Sequence, residues 1–504
     1  MSLRVAILAT IRAFMEEFEL PGLAVAAVRP GDAPVVEGLG VRALGDAAPV
    51  GPDTQFAIAS NSKAFLAACL AIEVERGHLA WDDPVVQHLP EFRMSDPAVT
   101  RMMTVRDLLV HRSGLPLGAG DLMTVRKGHF TVADLIAALP HFAPEIGFRA
   151  GYAYDNILYI VGGEVLARVS GSSWNDYLPR EIFAPLGMRN AAPNPSLARS
   201  PDRAGRHARL GPPVIGMGQL ERIVPEDIDL LGPAGGVHAS ASDILPWIEA
   251  QLGKGVLPDG TRLWSAAQAD EMWRPQTIIA SGPGPSPEAP QRAVIEAYAL
   301  GWGVNDYRGR RMLTHAGMVA GQTSRIALLP DAGIGLAVFN NSADSEALSA
   351  LRYALLDLLT DQSDPFDWIA AARRTIDGLK AQVATAIAAD GSFPVPPGQS
   401  SLSLALYAGR YRDPWYGEVE ISHADDALQL RFLPTSAFAG PLEPFGQDAF
   451  RTRFARGVGE DAVLRFAVEQ GRVTALSMRA LSPLADFSFD YHHLAFVPMG
   501  QKGI

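Results

Sequence analysis

The amino-acid sequence predicts an α+β region followed by a small all-β, barrel-like domain. Apolar strand patterns lie at both ends of residues 1–362, with helical patterns between them. This arrangement favours an antiparallel sheet flanked by helices, together with an all-helical region. Residues 363–400 combine a helical pattern with a proline-rich linker, and residues 401–504 carry short alternating segments typical of an antiparallel sheet or small barrel. These three ranges are the predicted domains.

The composition is that of a folded, acidic protein. Of its 504 residues 48% are hydrophobic and 19% are charged, and the formal net charge is −12. Five of the 43 basic residues are lysines, and no basic cluster occurs. A nucleic-acid or anionic membrane surface needs clustered Lys and Arg, so we expect neither partner. We expect a small-molecule or peptide substrate and no cofactor.

Cysteine usage and the length of apolar runs exclude further classes of protein. The single cysteine, Cys69, excludes an intramolecular disulfide and a multi-thiolate metal site, and its apolar neighbours favour a buried thiol. No apolar run reaches the roughly 18 residues of a transmembrane helix. Residues 5–11 run straight into charged residues, which favours an amphipathic helix over a signal peptide. We expect a cytoplasmic protein, or a periplasmic one if a native signal peptide has been removed.

Local patterns predict the individual elements of the first region. Alternating and apolar runs indicate strands, and apolar residues at helical spacing, ended by glycine, indicate helices. The predicted strands cover residues 22–28, 35–44, 327–330 and 335–339. One predicted helix covers residues 64–76, and a second follows Tyr159 and ends at Gly171.

The sequence pattern changes after residue 365. A helical pattern covers residues 366–389, and residues 390–399 have the proline content of a semi-stiff linker. Beyond the linker, alternation predicts strands over residues 417–421, 428–432, 450–454, 462–468 and 473–478.

Ser60 and Lys63 form a candidate nucleophile and activating pair. They lie three residues apart at the predicted start of a helix, so both side chains project from one face. A serine hydroxyl needs a group that takes its proton, and a lysine can do so when burial lowers its pKa. The helix N-terminus adds N–H groups where an oxyanion would form. This spacing alone is a weak signal, because a serine and a lysine three residues apart also occur by chance.

Tyr154 and Asn156 form a second candidate group, in a loop before a predicted helix. A tyrosine beside a lysine ammonium would have its phenolate form stabilised, which makes Tyr154 a partner base. Asn156 can donate to a substrate carbonyl and accept from Lys63. The alternative is that Asn156 simply caps the helix.

A third group, His315, Gly317 and Met318, precedes the second apolar hairpin. A strand that carries Gly317 lets a substrate backbone approach closely, and the Met318 N–H becomes the second oxyanion donor opposite that of Ser60. His315 can hydrogen-bond a substrate or carry positive charge for a carboxylate. The alternative is a strand-edge histidine with no role.

Other motifs are weak or missing. Residues 38–43 match a loose dinucleotide fingerprint, but the stretch continues as a strand and no helix opens there. The histidines have no metal-ligand spacing, so we expect no metal site, and no Gly-x-Ser-x-Gly elbow occurs.

The three groups, in this order, resemble the motifs of the class C β-lactamase and penicillin-binding-protein superfamily. Its members include D-aminopeptidases, D-alanyl-D-alanine carboxypeptidases and family VIII carboxylesterases. The resemblance extends to residues 77–85, 108–116, 185–188, 233–236 and 240–243, and covers about residues 10–360.

The resemblance implies a serine hydrolase. Ser60 would be the nucleophile, Lys63 its activating partner, Tyr154 the general base or acid, and Asn156 a ligand of substrate and lysine. His315 and Gly317 would stand on the strand that lines the cleft. His315 replaces the lysine usual in true β-lactamases, which favours the D-aminopeptidase and esterase-like branches. A β-lactamase proper, and a penicillin-binding sensor acylated at Ser60 without turnover, remain alternatives.

The C-terminal residues resemble a lipocalin-like domain that follows the hydrolase domain in some relatives. The similar stretches are residues 407–411, 415–417 and 489–498. We hypothesise that this domain packs near the mouth of the cleft, where it limits substrate size, or forms an oligomer contact.

Overall fold

An eight-stranded antiparallel sheet forms the centre of the first region. The computed structural model describes residues 2–257, 259–280, 290–364, 366–389 and 400–500. The strands lie in the order β2-β1-β12-β11-β10-β9-β8-β7. They are β1 (Gly22–Val28), β2 (Val35–Gly40), β7 (Thr277–Ile279), β8 (Glu296–Tyr298), β9 (Gly303–Tyr307), β10 (Arg310–Val319), β11 (Gln322–Leu329) and β12 (Ile334–Asn340). Two small pairs are β3 (Phe56–Ala57) with β6 (His238–Ala239), and β4 (Arg206–Arg209) with β5 (Leu220–Ile223).

The described ranges contain twelve α-helices. They are α1 (Leu3–Phe18), α2 (Ser62–Glu75), α3 (Val85–His88), α4 (Pro97–Met102), α5 (Val132–Ala138), α6 (Ile157–Ser170), α7 (Trp174–Leu178), α8 (Ala184–Leu186), α9 (Ala241–Leu252), α10 (Ala266–Met272), α11 (Ser345–Leu359) and α12 (Trp368–Ala389). Helices α2 to α8 form the predicted all-helical region. None of the helices in the described part of the chain is long and apolar enough to cross a membrane.

The central strands are buried because both faces of the sheet are covered. On one face, Ile11 of α1 and Leu351 of α11 belong to the same buried cluster as Val25 of β1. On the other face, Phe65 of α2 stacks on Trp247 of α9, with ring centroids 3.9 Å apart. Every residue of β11 and β12 is buried, which explains the apolar runs on both sides of the hairpin turn, residues 326–329 and 334–339.

The C-terminal part is a closed barrel of eight antiparallel strands in sequence order. Inward residues alternate with outward ones, as they must in a small barrel whose interior is filled by side chains. The strands are β13 (Gly409–Asp413), β14 (Gly417–Ala424), β15 (Ala427–Phe432), β16 (Ala439–Gly446), β17 (Ala449–Thr452), β18 (Ala462–Glu469), β19 (Arg472–Ala480) and β20 (Ala495–Pro498).

The barrel packs against the all-helical region through aromatic and polar contacts. Phe130 and Tyr416 have ring centroids 5.1 Å apart, and Phe142 and Trp415 5.0 Å apart. The Arg126 side chain donates hydrogen bonds to two backbone carbonyls of the barrel, those of residues 457 and 458. The two regions therefore share an interface with buried polar contacts.

The predicted fold class is confirmed: a mixed α+β region with a large antiparallel sheet precedes a barrel. Strand β1 has the predicted bounds, and α12 begins two residues after the predicted helix start. Strand β10 contains His315 and Gly317, as expected, whereas strands β4 to β9, β13, β16 and β20 had no predicted counterpart. The predicted linker at residues 390–399 lies outside the described residues, and the domain limits at 362 and 400 stay predictions.

Candidate active site

Ser60 lies on a short 3-10 turn, Ala59–Asn61, immediately before α2. Ala59 has a positive φ of 50°, so the backbone bends sharply just before the serine. The Ser62 hydroxyl holds this bend, since it donates to the Ala59 carbonyl at 2.6 Å and accepts from Val237 N at 3.0 Å. The turn presents Ser60, partly exposed, to a cleft.

Lys63 is completely buried one turn further along α2. Its Nζ lies 3.3 Å from Ser60 Oγ, 2.6 Å from Asn156 Oδ1 and 2.8 Å from the Ala234 carbonyl oxygen. Burial lowers the pKa of Lys63 to about 7, although the nearby Asp121 and Asp155 oppose the shift. A substantial fraction of this amine is therefore neutral near pH 7 and able to take a proton.

Tyr154 stands over the lysine, with Lys63 Nζ 4.8 Å from the centroid of its ring. Burial raises the pKa of Tyr154 well above its usual value, and the neighbouring Ser60 hydroxyl opposes that shift only in part. The prediction that the phenolate form of Tyr154 is stabilised is therefore wrong for the protein without substrate. The reason is that desolvation of the buried phenolate dominates, and the neighbouring Tyr152, Tyr159 and Asp121 raise the pKa further.

Asn156 is at the N-cap of α6, but its side chain makes no capping hydrogen bond. Leu158 N is capped by Asp155 Oδ1 at 3.1 Å instead. The Asn156 amide donates to Asp121 Oδ2 at 2.8 Å while its oxygen accepts from Lys63. The alternative of a simple helix cap is therefore wrong.

Strand β10 runs alongside the Ser60 turn at Gly317. A Cβ at this position would overlap the Ile58 carbonyl oxygen and the Ser324 hydroxyl. Asn61 Nδ2 donates to Ser324 Oγ at 2.7 Å and ties the turn to β11. Glycine is thus required for the strand and the turn to approach this closely.

His315 is buried below the cleft and is neutral. Burial and the nearby Lys63 charge lower its pKa to about 3. Its Nε2 lies 2.7 Å from the Tyr298 hydroxyl and its Nδ1 lies 2.7 Å from the Ala316 carbonyl oxygen. The expectation that His315 carries positive charge for a carboxylate is therefore wrong, and both ring nitrogens are already engaged.

The cleft in front of Ser60 has a volume of about 910 Å³. Ser60, Asn156 and Met318 all line it, so these predicted residues meet at one surface. Much of one wall is apolar. It comes from Leu210, Pro212, Pro213, Ile215, Met217, Ile223, Pro225, Ile228 and Leu231.

Several residues of the site were not among the predicted site residues. Ala234, in a stretch that carried the family resemblance, contributes only its carbonyl oxygen. Asp121 holds Asn156, and Ser488 and Asp490 of the barrel reach Asp121 and its turn. His111, within a stretch that carried the family resemblance, packs its ring 4.2 Å from that of Tyr154.

Metal binding has no support among the residues that the structure describes. Within them, no group of three or more His, Cys, Asp or Glu residues could hold an ion. Cys69 is fully buried, and burial raises the pKa of its thiol, as a structural cysteine would show.

Known proteins match this chain along most of its length. The family model described as Beta-lactamase matches residues 7–360, and a domain of unknown function (DUF3471) matches residues 394–498. Unguisins hydrolase ungD of Aspergillus violaceofuscus (strain CBS 115571) is 28% identical over 433 residues, which cover 80% of this chain and 74% of that protein.

Solved structures share the fold. The octameric penicillin-binding protein homologue from Pyrococcus abyssi has a TM-score of 0.60 at 21% identity, covering 93% of this chain and 97% of that one. D-amino acid amidase from Ochrobactrum anthropi SV3 has a TM-score of 0.56 at 22% identity, covering 73% of this chain and 99% of that one.

The fold and the family match together define the class of protein, that of the serine-dependent, penicillin-recognising enzymes and their relatives. The chain belongs to the β-lactamase family. This membership supports serine hydrolase activity.

Proposed function

We propose that this protein is a serine hydrolase that forms an acyl-enzyme at Ser60 and acts on amide or ester bonds. Its substrates are D-amino-acid peptides or amides and small esters. One observation carries the proposal: the buried amine of Lys63, with a pKa of about 7, lies 3.3 Å from Ser60 Oγ in an open cleft. A neutral amine at that distance is the base that a serine nucleophile needs.

The first half-reaction acylates Ser60. Lys63 takes the hydroxyl proton as Ser60 Oγ bonds to the substrate carbonyl carbon, and the N–H groups of Ser60 and Met318 hold the oxyanion. Tyr154, which keeps its phenolic proton, then gives that proton to the leaving nitrogen or oxygen as its bond to carbon breaks. The Lys63 ammonium returns a proton to Tyr154.

The second half-reaction releases the acyl group. Water attacks the acyl carbonyl carbon and passes one proton to Lys63. The bond from carbon to Ser60 Oγ breaks, the serine regains a proton, and the acid leaves. Asn156 holds the lysine throughout and donates to the substrate carbonyl group.

The proposed substrate class draws on the cleft and on two relatives. About 910 Å³ with an apolar wall suits a peptide or an acyl chain better than a small rigid ring. An unguisins hydrolase and a D-amino acid amidase among the similar proteins support peptide and amide substrates. His315 is neutral and both of its ring nitrogens have hydrogen-bond partners, so it supplies no cation for a β-lactam carboxylate.

Mass spectrometry of the intact protein tests the proposal. The wild type and a Ser60→Ala control are exposed separately to penicillin G, p-nitrophenyl acetate and D-phenylalaninamide. We expect a transient adduct with the ester, turnover of ester or amide, and neither in the Ser60→Ala control. Absence of any adduct or turnover in the wild type would contradict the proposal. A stable penicillin adduct without turnover would identify a sensor, and rapid penicillin turnover a β-lactamase.

A further inference from the structure

A loop of the C-terminal barrel, residues 482–490, reaches the turn beneath Asn156. Ser488 Oγ donates to Asp121 Oδ2 at 2.9 Å. The two carboxylate oxygens of Asp490 accept from Gly120 N at 3.0 Å and Leu122 N at 2.9 Å. Asp490 and Asp121 are both buried, so these contacts are shielded from water. The barrel therefore fixes the backbone on both sides of Asp121.

Asp121 connects this loop to the lysine. Its Oδ2 accepts from Asn156 Nδ2 at 2.8 Å, and Asn156 Oδ1 accepts from Lys63 Nζ at 2.6 Å. A continuous path of three hydrogen bonds thus runs from Ser488 to the amine. Such chains act on their members through polarisation and charge in a low-dielectric interior.

We propose that Ser488 and Asp490 are positioning residues of the reaction, which hold and tune the Lys63 amine through Asp121 and Asn156. The inference rests on the proposed function, because it assigns these residues to acyl transfer at Ser60. It makes the barrel a part of the catalytic centre, although no barrel atom needs to touch the substrate.

The ionisation of Asp121 is the quantity that the barrel controls. Burial, and after it the Asp490 carboxylate, raise the pKa of Asp121 to about 8. Hydrogen bonds from Asn156 and Ser488, and the charge of Lys63, oppose the shift. A neutral Asp121 leaves the lysine with less negative charge nearby, which keeps the lysine pKa low.

Other ionisable groups face this network from several elements. Asp155 also raises the pKa of Lys63, and the Lys63 charge lowers the pKa values of His111 and His315. Next to Asp490, His493 Nδ1 lies 3.0 Å from the carboxylate. The rings that surround the amine are those of Tyr154 and Tyr159. None of these residues is substituted in the variants below, and among them only His493 loses a charged neighbour, in Asp490→Asn.

The two barrel residues act with opposite sign. Removing the Asp490 charge lowers the pKa of Asp121, so Asp121 ionises more readily and raises the pKa of Lys63. Removing the Ser488 hydrogen bond does the reverse. The acidic limb of the pH profile of kcat/KM, which follows protonation of the base, is therefore expected to move in opposite directions in the two variants.

The experiment measures that limb between pH 5 and pH 9 in Asp490→Asn, Ser488→Ala and Asp121→Asn, with p-nitrophenyl acetate. We expect a shift of about half a pH unit or more to higher pH in D490N and to lower pH in S488A and D121N. The matched control is Asp413→Asn, another buried barrel carboxylate that caps backbone N–H groups only within the barrel. Thermal melting checks that each variant is folded.

The outcomes separate this inference from the proposed function. A wild type that turns over the ester, with the limb unmoved in S488A and D121N, overturns the inference and leaves the hydrolase intact. The same shift in D413N and D490N also overturns it, because a general loss of barrel stability would then be the cause. A wild type without acylation at Ser60 overturns the proposed function itself.

Discussion

At the scale of single residues, the surroundings of Lys63 decide whether its amine acts as a base. An exposed lysine is protonated at neutral pH and cannot accept the serine proton. Here complete burial lowers the pKa to about 7, and three oxygen atoms hold the amine in place. The same burial keeps Tyr154 protonated. In the proposed mechanism the amine therefore accepts protons and the phenol donates them.

The first prediction concerns the pH dependence of the wild type. The base must be neutral, and the neutral fraction of Lys63 grows as pH rises through its pKa. We expect kcat/KM to increase with pH below about 7, where log kcat/KM has a slope near one, and to level off above it. Steady-state rates with p-nitrophenyl acetate measure this. A flat profile between pH 5.5 and pH 8 would be inconsistent with Lys63 as the base.

Lys63→Met is the matched variant for that prediction. Methionine keeps most of the buried stem and removes the amine, so the packing of α2 is retained. Loss of the base is expected to lower kcat by about 10² to 10⁴-fold. Because Asn156 Oδ1 and the Ala234 carbonyl oxygen lose their donor, thermal melting is measured to check that the variant is folded. Unchanged turnover in this variant would remove Lys63 from the mechanism.

At the scale of elements, the approach of strand β10 to the Ser60 turn sets the geometry of the cleft. Gly317 faces the turn with no room for a Cβ, and Met318, the next residue, lines the cleft. The distance between the two oxyanion donors in our proposal, Ser60 N and Met318 N, therefore depends on this one contact.

The second prediction tests the contact with Gly317→Ala. The added methyl group must push the strand away from the Ile58 carbonyl oxygen, by a displacement on the order of 1 Å. A change of that size is expected to lower kcat by about 10²-fold. Gly303→Ala, on the neighbouring strand, is the control, because its Cβ would meet its nearest atom, the Thr314 carbonyl oxygen, at 3.2 Å. Equal losses in the two variants would disprove a special role for residue 317.

Sequence patterns predicted the elements that are buried on all sides or cleanly amphipathic. Strands β1 and β12 are nearly continuous apolar runs, and only the second half of β11 is apolar, which is where its strand was predicted. Helix α6 ends at Gly171 in the left-handed conformation that glycine favours. Strands β7 to β10 had no such pattern. In β10, buried and exposed positions include Arg, Thr, His and Gly, because one edge of the strand faces the cleft.

The site was predictable only where its residues form local motifs. Ser60 and Lys63 share a helix turn, and Tyr154 and Asn156 share a loop, so spacing alone groups them. Asp121 and Asp490 are far apart in the chain, and nothing local marks either as part of the site. Tertiary burial also reversed two electrostatic expectations, the phenolate of Tyr154 and the charge of His315, since desolvation is invisible in a sequence.

At the scale of the whole molecule, the barrel forms part of the cleft wall. Leu484, Asp486, Ser488 and Phe489 of its 482–490 loop line the cleft opposite residues 210–218. This position agrees with the hypothesis of a domain at the cleft mouth. Its effect on substrate size stays a prediction, as does an oligomer contact.

The third prediction tests the size limit with Leu484→Ala. Leu484 reaches toward Gly216 across the cleft, and truncation widens the gap between the two loops. We expect kcat/KM for p-nitrophenyl octanoate to rise by about tenfold relative to p-nitrophenyl acetate. Leu406→Ala, on an exposed part of the barrel, should leave the ratio unchanged. An unaltered ratio in L484A would argue against a barrel that selects by size.

The capping of Leu122 N by Asp490 has a consequence for biosynthesis. The two residues are 368 positions apart, so the ribosome makes the turn long before the carboxylate that holds it. A nascent chain with its first region already folded would still carry a loosely held lysine. In the proposed mechanism, the barrel contacts that position Lys63 would then form only after residues 488–490 have been translated.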